Sequence, residues 1–203
     1  RWSKTSLFNI PMGHEVMVTL LQMTSAMGTI ANNGDLMQPY MVAKIEDQAG
    51  VALREKKPSV KRHVIDVETA KKMRHILYRA VEEGTGKMAK INGIPAGGKT
   101  GTAQKVLSGG RGYSHNNFMS SFVGFAPVED PILVMAVVLD DPKGAYYGGT
   151  VCAPVFREVI EPALIAMGYV PENTQKFEPG NKIANAAHPQ GNKALLLPPQ
   201  TAR

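Results

Sequence analysis

Lys99, Thr100 and Thr102 place one cation and two hydroxyls on a short run of backbone, with Gly101 between the two threonines. Two chemistries compete for this stretch. Together with the residues before it, Gly93-Ile94-Pro95-Ala96-Gly97-Gly98-Lys99-Thr100 satisfies the phosphate-cradling pattern Gly-x-x-x-x-Gly-Lys-Ser/Thr. The apolar run Ile132 to Leu139, followed by Asp140-Asp141, imitates a strand that ends in a magnesium-binding aspartate. Together they spell a P-loop nucleotide hydrolase. A phosphate cradle, however, needs a helix directly after the Lys-Thr pair, so that its first amides converge on the anion. Gly101, the β-branched Thr102 and the glycine-rich Ser108-Gly109-Gly110-Arg111-Gly112 leave no room for one, and Pro95 removes an amide donor from the loop. Read as a strand instead, the stretch has Lys99 and Gly101 on one face and the two threonines on the other in an ideal strand, although a twisted edge beside a cleft turns both hydroxyls towards a ligand. The glycine lets a bound backbone approach closely, and a cation with two hydroxyls on a strand edge suits a carboxylate.

Periodicity and turn chemistry define the helices and strands around these groups. Apolar residues at three- and four-residue spacing predict a helix from His14 to Ala31, stopped by Asn32-Asn33-Gly34. Met37 to Leu53 reads as two short strands about the turn Glu46-Asp47-Gln48-Ala49-Gly50. Asp66 is the expected N-cap of a second helix with the face Val67, Ala70, Met73, Ile76, Leu77 and Val81, ended by Gly84. Three strands come next: Lys99 to Leu107, Phe118 to Ala126 and Ile132 to Leu139. Their connections are too short for parallel crossovers, which predicts an antiparallel meander. A third helix is expected over Val151 to Met167, with Pro154 in its first turn, Pro162 at a bend and Gly168 closing it. Residues 171–203, rich in Pro, Asn, Gln and Lys, are expected to be a disordered tail. The fold class is α/β in the mixed (α+β) sense, an antiparallel sheet with helices packed on its faces.

Lys99-Thr100-Gly101 is also the Lys-Thr-Gly box of penicillin-binding proteins and serine β-lactamases, and the likeness extends beyond it. Gly98 to Lys105, Phe122-Val123-Gly124-Phe125-Ala126-Pro127, Asp141-Pro142, Tyr146-Tyr147-Gly148-Gly149 and Ala153-Pro154-Val155-Phe156 stand in the family's order. Residues 1 to about 168 resemble the C-terminal half of the transpeptidase domain of class B penicillin-binding proteins. Arg1-Trp2-Ser3 and the helix containing Leu20-Leu21-Gln22 resemble the division type. The resemblance implies a peptidoglycan D,D-transpeptidase that works through an acyl-serine intermediate and uses no cofactor or metal. It assigns Lys99 to the substrate carboxylate and the proton relay, the hydroxyls of Thr100 and Thr102 to the same carboxylate, Gly101 to the substrate-binding strand, and the amide of Thr102 to the oxyanion hole. Implied partners are peptidoglycan stem peptides, β-lactam antibiotics, an upstream half of the same protein and division-complex proteins. The implied location is the extracytoplasmic face of the membrane, with an N-terminal anchor outside this chain. A carboxypeptidase or β-lactamase of the same fold differs only in letting water deacylate the serine.

The family's Ser-x-x-Lys nucleophile motif is not among the eight serines, Ser3, Ser6, Ser25, Ser59, Ser108, Ser114, Ser120 and Ser121, none of which has Lys three residues on. Ser114-His115-Asn116 matches the family's Ser-x-Asn as a string but comes after the Lys-Thr-Gly box instead of preceding it. The chain therefore reads as a fragment, with residues 1–170 as the C-terminal part of the domain. Met12-Gly13-His14-Glu15 departs from the family, which has two glycines around one residue at this point; His14 and Glu15 are expected to begin the helix. Composition is that of a globular chain, with 203 residues, 43% hydrophobic, 20% charged and a net charge of +6. The longest purely apolar run, Ile132 to Leu139, is far short of the ~18 residues that span a bilayer. Lysines and arginines are dispersed, without a basic face or binding motif, which argues against nucleic acid. One cysteine, Cys152, excludes an internal disulfide and reads as a packed residue. His63, His75, His115 and His188 lack metal-ligand spacing, and His115 is the one placed nearest the cleft. Tyr146-Tyr147-Gly148-Gly149 is either a structural turn or a rim of that cleft.

Overall fold

A computed structural model describes residues 6–10, 13, 16–107 and 112–170; the expected tail, His14, Glu15 and the turn at 108–111 lie outside the described residues. After a single helical turn, α1 (Ser6–Asn9), the first long helix is α2 (Leu20–Ala31). It begins later than the periodicity predicts because Thr19 and Gln22 form a reciprocal cap. Gln22 N–H donates to Thr19 Oγ1 at 3.2 Å and Thr19 N–H donates to Gln22 Oε1 at 2.8 Å. Residues 16–19 before that cap are exposed and irregular. Asn32-Asn33-Gly34 ends the helix as expected, with Asn33 and Gly34 at φ 54° and 97°. A Cβ at Gly34 would run into the backbone of Ile65, so the turn and the chain returning past it need glycine there.

Helix α3 (Val67–Glu82) starts at Asp66, whose carboxylate accepts from both the amide and the hydroxyl of Thr69 at 2.7 Å. Those bonds hold the Asp66 carboxyl below its ordinary range. The cap is therefore complete above that range and is lost as pH falls through the lowered value.

The central sheet runs in the order β5 (Gly97–Val106), β6 (Tyr113–Ala126), β7 (Leu133–Asp140), and every pairing is antiparallel. This is the predicted meander, with β6 five residues longer at its start than the apolar pattern shows. Its register sets Thr100 opposite Phe122 and Thr102 opposite Ser120. Alternation then sends Phe122 and Ala126 to one face and Phe125 to the other. The first face carries the larger core, in which Phe122 and Val137 meet Val81 of α3, Ile91, Ile94, and Cys152, Phe156, Ile160 and Leu164. The rings of Phe122 and Phe156 lie 5.0 Å apart at 58°. The second face packs Phe125 and Val128 on Met27 and Ala31 of α2 and Leu77 and Tyr78 of α3. The expected third helix is two pieces, α4 (Gly148–Val151) and α5 (Ala153–Ala166), joined at the fully buried Cys152. Pro154 sits in the first turn of α5 and Pro162 inside it, on its exposed side.

Between α2 and α3 the chain forms a ribbon in which β1 (Asp35–Met37) pairs with β4 (Val60–His63), and β2 (Lys44–Glu46) pairs with β3 (Ala52–Glu55). The β2–β3 hairpin answers the expected pair of strands, with Glu46 in β2 instead of the turn, no strand over residues 38–43 and β3 reaching Glu55; β1 and β4 were not predicted. Residues 38–64 of this ribbon are exposed on both faces.

Arg74 of α3 ties the two long helices together. It is only 6% exposed, and its Nη1 donates to Asn33 Oδ1 at 2.8 Å and to Ala31 O at 3.2 Å at the end of α2. Truncating it leaves the buried carbonyl of Ala31 without this donor, which costs more than the bond contributed. Arg74→Met should lower stability by about 2–3 kcal/mol, read as a lower urea midpoint at unchanged slope. An unchanged midpoint would show that the clamp is incidental.

Candidate active site

Among the described residues β5 pairs with β6 alone, so its other edge has no strand partner there, while α3 and α4 pack against the strand. Lys99, Thr100, Gly101 and Thr102 lie in the middle of that strand. Lys99 is exposed, and its ammonium donates to the carbonyl of Thr100 at 2.8 Å, which lays the charge along β5. An ammonium has three protons, so two remain for an anion. Thr102 is exposed and its Oγ1 accepts from the N–H of Gly148 at 3.1 Å. Thr100 is half-buried, and its Oγ1 lies 2.7 Å from Oγ1 of Thr85, in the turn after α3. The four predicted residues thus share one strand, with Lys99 and Gly101 on the face opposite the two threonines.

Glycines at four points allow the layers to come this close. A Cβ at Gly148 would overlap the carbonyl oxygens of Ser121 and Gly101, and one at Gly149 would overlap that of Thr85. Gly98 has the ring of Phe122 against it, and Gly101 has the hydroxyl of Ser121. The glycines of Tyr146-Tyr147-Gly148-Gly149 accordingly have a structural role, as the closely packed start of α4. Tyr146 stacks on Phe118 at 4.1 Å and 10°, and its carbonyl accepts from Ser120 Oγ. Tyr147 remains 60% exposed beside it, with ring centroids 4.6 Å apart.

The P-loop reading fails on this geometry. Lys99 and Thr100 are inside a strand of ten residues, and no helix comes directly after them. The supposed magnesium aspartates are engaged elsewhere. Asp140 pairs with Lys105 at 2.7 Å. Asp141 accepts from Lys143 at 2.8 Å and from Asn117 Nδ2 at 2.9 Å, and these two partners hold its carboxyl below the ordinary range. Ser114-His115-Asn116 lies at the start of β6 and not in the turn before it. Ser114 Oγ donates to Asn117 Oδ1 at 2.8 Å and accepts from the amide of Asn117 at 3.0 Å, a local backbone device. His115 is exposed near the register of Val106, the end of β5 away from Gly98. Cys152 is a packed residue, as expected, and burial pushes its thiol pKa up.

Residues 1–161 match the penicillin binding protein transpeptidase domain family. The chain belongs to that family. Among its relatives, stage V sporulation protein D of Bacillus subtilis is 41% identical over 80% of this chain and 25% of its own length. A probable peptidoglycan D,D-transpeptidase, PenA of Neisseria flavescens, is 36% identical over 84% of this chain and 40% of its own. Penicillin-binding protein 3 of Mycobacterium tuberculosis, solved with ampicillin, superposes with a TM-score of 0.78 at 30% identity, covering 88% of this chain and 41% of that one. The chain thus spans between a quarter and two-fifths of the curated relatives it is compared with here. Helices packed on an antiparallel sheet are the fold of this penicillin-binding transpeptidase domain.

Sequence reasoning located the Lys-Thr-Gly-Thr strand of this domain but not its two hydrogen-bonding partners, Thr85 and the amide of Gly148. The Gly148-Gly149 pair was the available signal, since adjacent glycines mark a close backbone approach, here in the first turn of α4. The neighbours of the glycines set their rank. Gly148→Ala meets two fixed carbonyls and should cost about 2–3 kcal/mol, whereas Gly101→Ala meets one rotatable hydroxyl and should cost about 1 kcal/mol or less. Thermal melts of the two variants check the order; equal losses would mean that α4 can shift away from the sheet.

Proposed function

We propose that residues 1–170 are the C-terminal part of the transpeptidase domain of a peptidoglycan D,D-transpeptidase, and that β5 is its carboxylate-binding strand. The observation that carries this reading is the presence, on a strand with no second strand partner among the described residues, of an exposed ammonium, Lys99, and an exposed hydroxyl, Thr102, whose acceptor side is already taken by Gly148 N–H; the twist of an edge strand lets groups of alternate faces turn towards one ligand. A hydroxyl has one proton, and with a lone pair engaged it is set to donate to an anion. Family membership and the relatives' names support the reaction class.

The reaction proposed is acyl transfer. A serine supplied by sequence outside these 203 residues attacks the carbonyl of the penultimate D-Ala of a donor stem peptide, and the C–N bond to the terminal D-Ala breaks. The proton given up by the serine hydroxyl passes to the leaving amine, and D-Ala departs. An acceptor amine then displaces the serine from the acyl group, its proton returns to the serine oxygen, and the cross-link is formed. In this chain, Lys99 holds the donor carboxylate and polarises the proton relay, Thr100 and Thr102 donate hydroxyl protons to that carboxylate, and the amide of Thr102 stabilises the oxyanion. A β-lactam enters as an acyl donor whose leaving group stays tethered, and the Mycobacterium tuberculosis relative has been solved in complex with one, ampicillin. Such a protein works on the extracytoplasmic side of the membrane, where stem peptides are cross-linked, in septum-type wall synthesis.

Stopped-flow acylation by a fluorescent penicillin tests this in the full-length protein that contains the chain. Lys99→Ala should slow acylation about 100-fold or more, because it removes the site's cation. Thr102→Val should cost about 10-fold, since the backbone oxyanion donor stays. The 203-residue chain alone, lacking Ser-x-x-Lys, should take up no label. Labelling at one of its own serines, or indifference to Lys99→Ala, would overturn the proposal.

A further inference from the structure

We propose that Thr85, outside the Lys-Thr-Gly-Thr strand, is a positioning residue that sets the direction of the Thr100 hydroxyl; this rests on the reading of β5 as a carboxylate-binding strand. Thr85 Oγ1 and Thr100 Oγ1 are 2.7 Å apart, and either can donate. A carboxylate is an acceptor only. When it lies against β5, the favoured arrangement is one in which Thr85 donates to Thr100 and Thr100 donates to the carboxylate, each bond polarising the next. Thr100 then stands as Thr102 does with its Gly148 partner: one lone pair is occupied from behind and the proton faces outward. Two different elements thus prime the two hydroxyls of the strand, the turn after α3 for Thr100 and the start of α4 for Thr102.

The position of Thr85 is fixed from both sides. Its turn is closed by Gly86 N–H donating to Ala80 O at 3.0 Å, and the carbonyl of Thr85 lies so close to Gly149 that no side chain fits there. Without the Thr85 hydroxyl, Thr100 keeps its own hydroxyl but loses the donor that commits its proton outward. The consequence is weaker ground-state binding of the carboxylate, not loss of the acyl-transfer machinery.

The test is stopped-flow acylation of the full-length protein by a fluorescent penicillin over a range of concentrations. Thr85→Val should raise the half-saturating concentration about 3- to 10-fold with the limiting rate little changed. Thr85→Ala should give the same shift if the larger valine upsets folding. Thr85→Ser should restore the wild-type value to within about 2-fold. In a Thr100→Val background, Thr85→Val should add nothing, because the two act as one unit. The inference is overturned if Thr85→Val and Thr85→Ala both behave as wild type, if Thr85→Ser is as impaired as Thr85→Val, or if the Thr85→Val effect persists in full on Thr100→Val. Lys99→Ala separates the two levels. Sensitivity at Lys99 with indifference at Thr85 sinks this inference alone, whereas indifference at Lys99 sinks the carboxylate reading beneath it.

Discussion

The closeness of α4 to the sheet governs the arrangement of the rest. Gly148 and Gly149 stand where no Cβ fits, against the carbonyls of Ser121, Gly101 and Thr85. That contact brings the amide of Gly148 to Thr102, keeps the turn at Thr85 beside Thr100, and fixes where α5 begins, at Cys152. From there Phe156, Ile160 and Leu164 reach the fully buried Phe122, so the core and the candidate site share one constraint. A close-packed interior passes such a constraint on because it has few voids to absorb a shift. The candidate site is consequently held by backbone atoms and small residues, with few long side chains that need ordering.

The Lys-Thr-Gly stretch shows how one string can carry two physical meanings. Glycines before a lysine and a hydroxyl suit a phosphate only when a helix N-terminus backs them. On an extended strand the same residues present an ammonium and hydroxyls along a strand edge. The conformation of the residues after Thr100 decides between the two, and here they are a further six residues of strand ending at Val106. The aspartates that complete the phosphate string serve the sheet instead, Asp140 through Lys105 and Asp141 through Asn117 and Lys143.

Strands β6 and β7 were legible through their apolar pattern, set by the buried Phe122, Phe125 and Val137 and the half-buried Val134, and short turns dictate antiparallel order. Helix α3 was legible through Asp66 and its face. The start of α2 was not, since Val16 and Met17 continue the helical spacing while the Thr19 and Gln22 cap, a polar pair, sets the true beginning. Strand β4, Val60-Lys61-Arg62-His63, was invisible because the ribbon is exposed on both faces, so no burial imposes alternation. At the site, the strand was readable from types and spacing alone. Its partners were not, because Thr85 and Gly148 act through contacts between residues 15 and 46 positions apart, which local pattern does not encode.

The central claim is that this strand recognises a carboxylate, and changing the ligand tests it most directly. Acylation of the full-length protein by a penicillin should be compared with acylation by the same compound as its methyl ester, in wild type and in Lys99→Ala. The account predicts that wild type reacts about 100-fold faster with the free acid, and that Lys99→Ala erases most of that preference. Equal rates for acid and ester in wild type, or a preference that survives intact in Lys99→Ala, would contradict it.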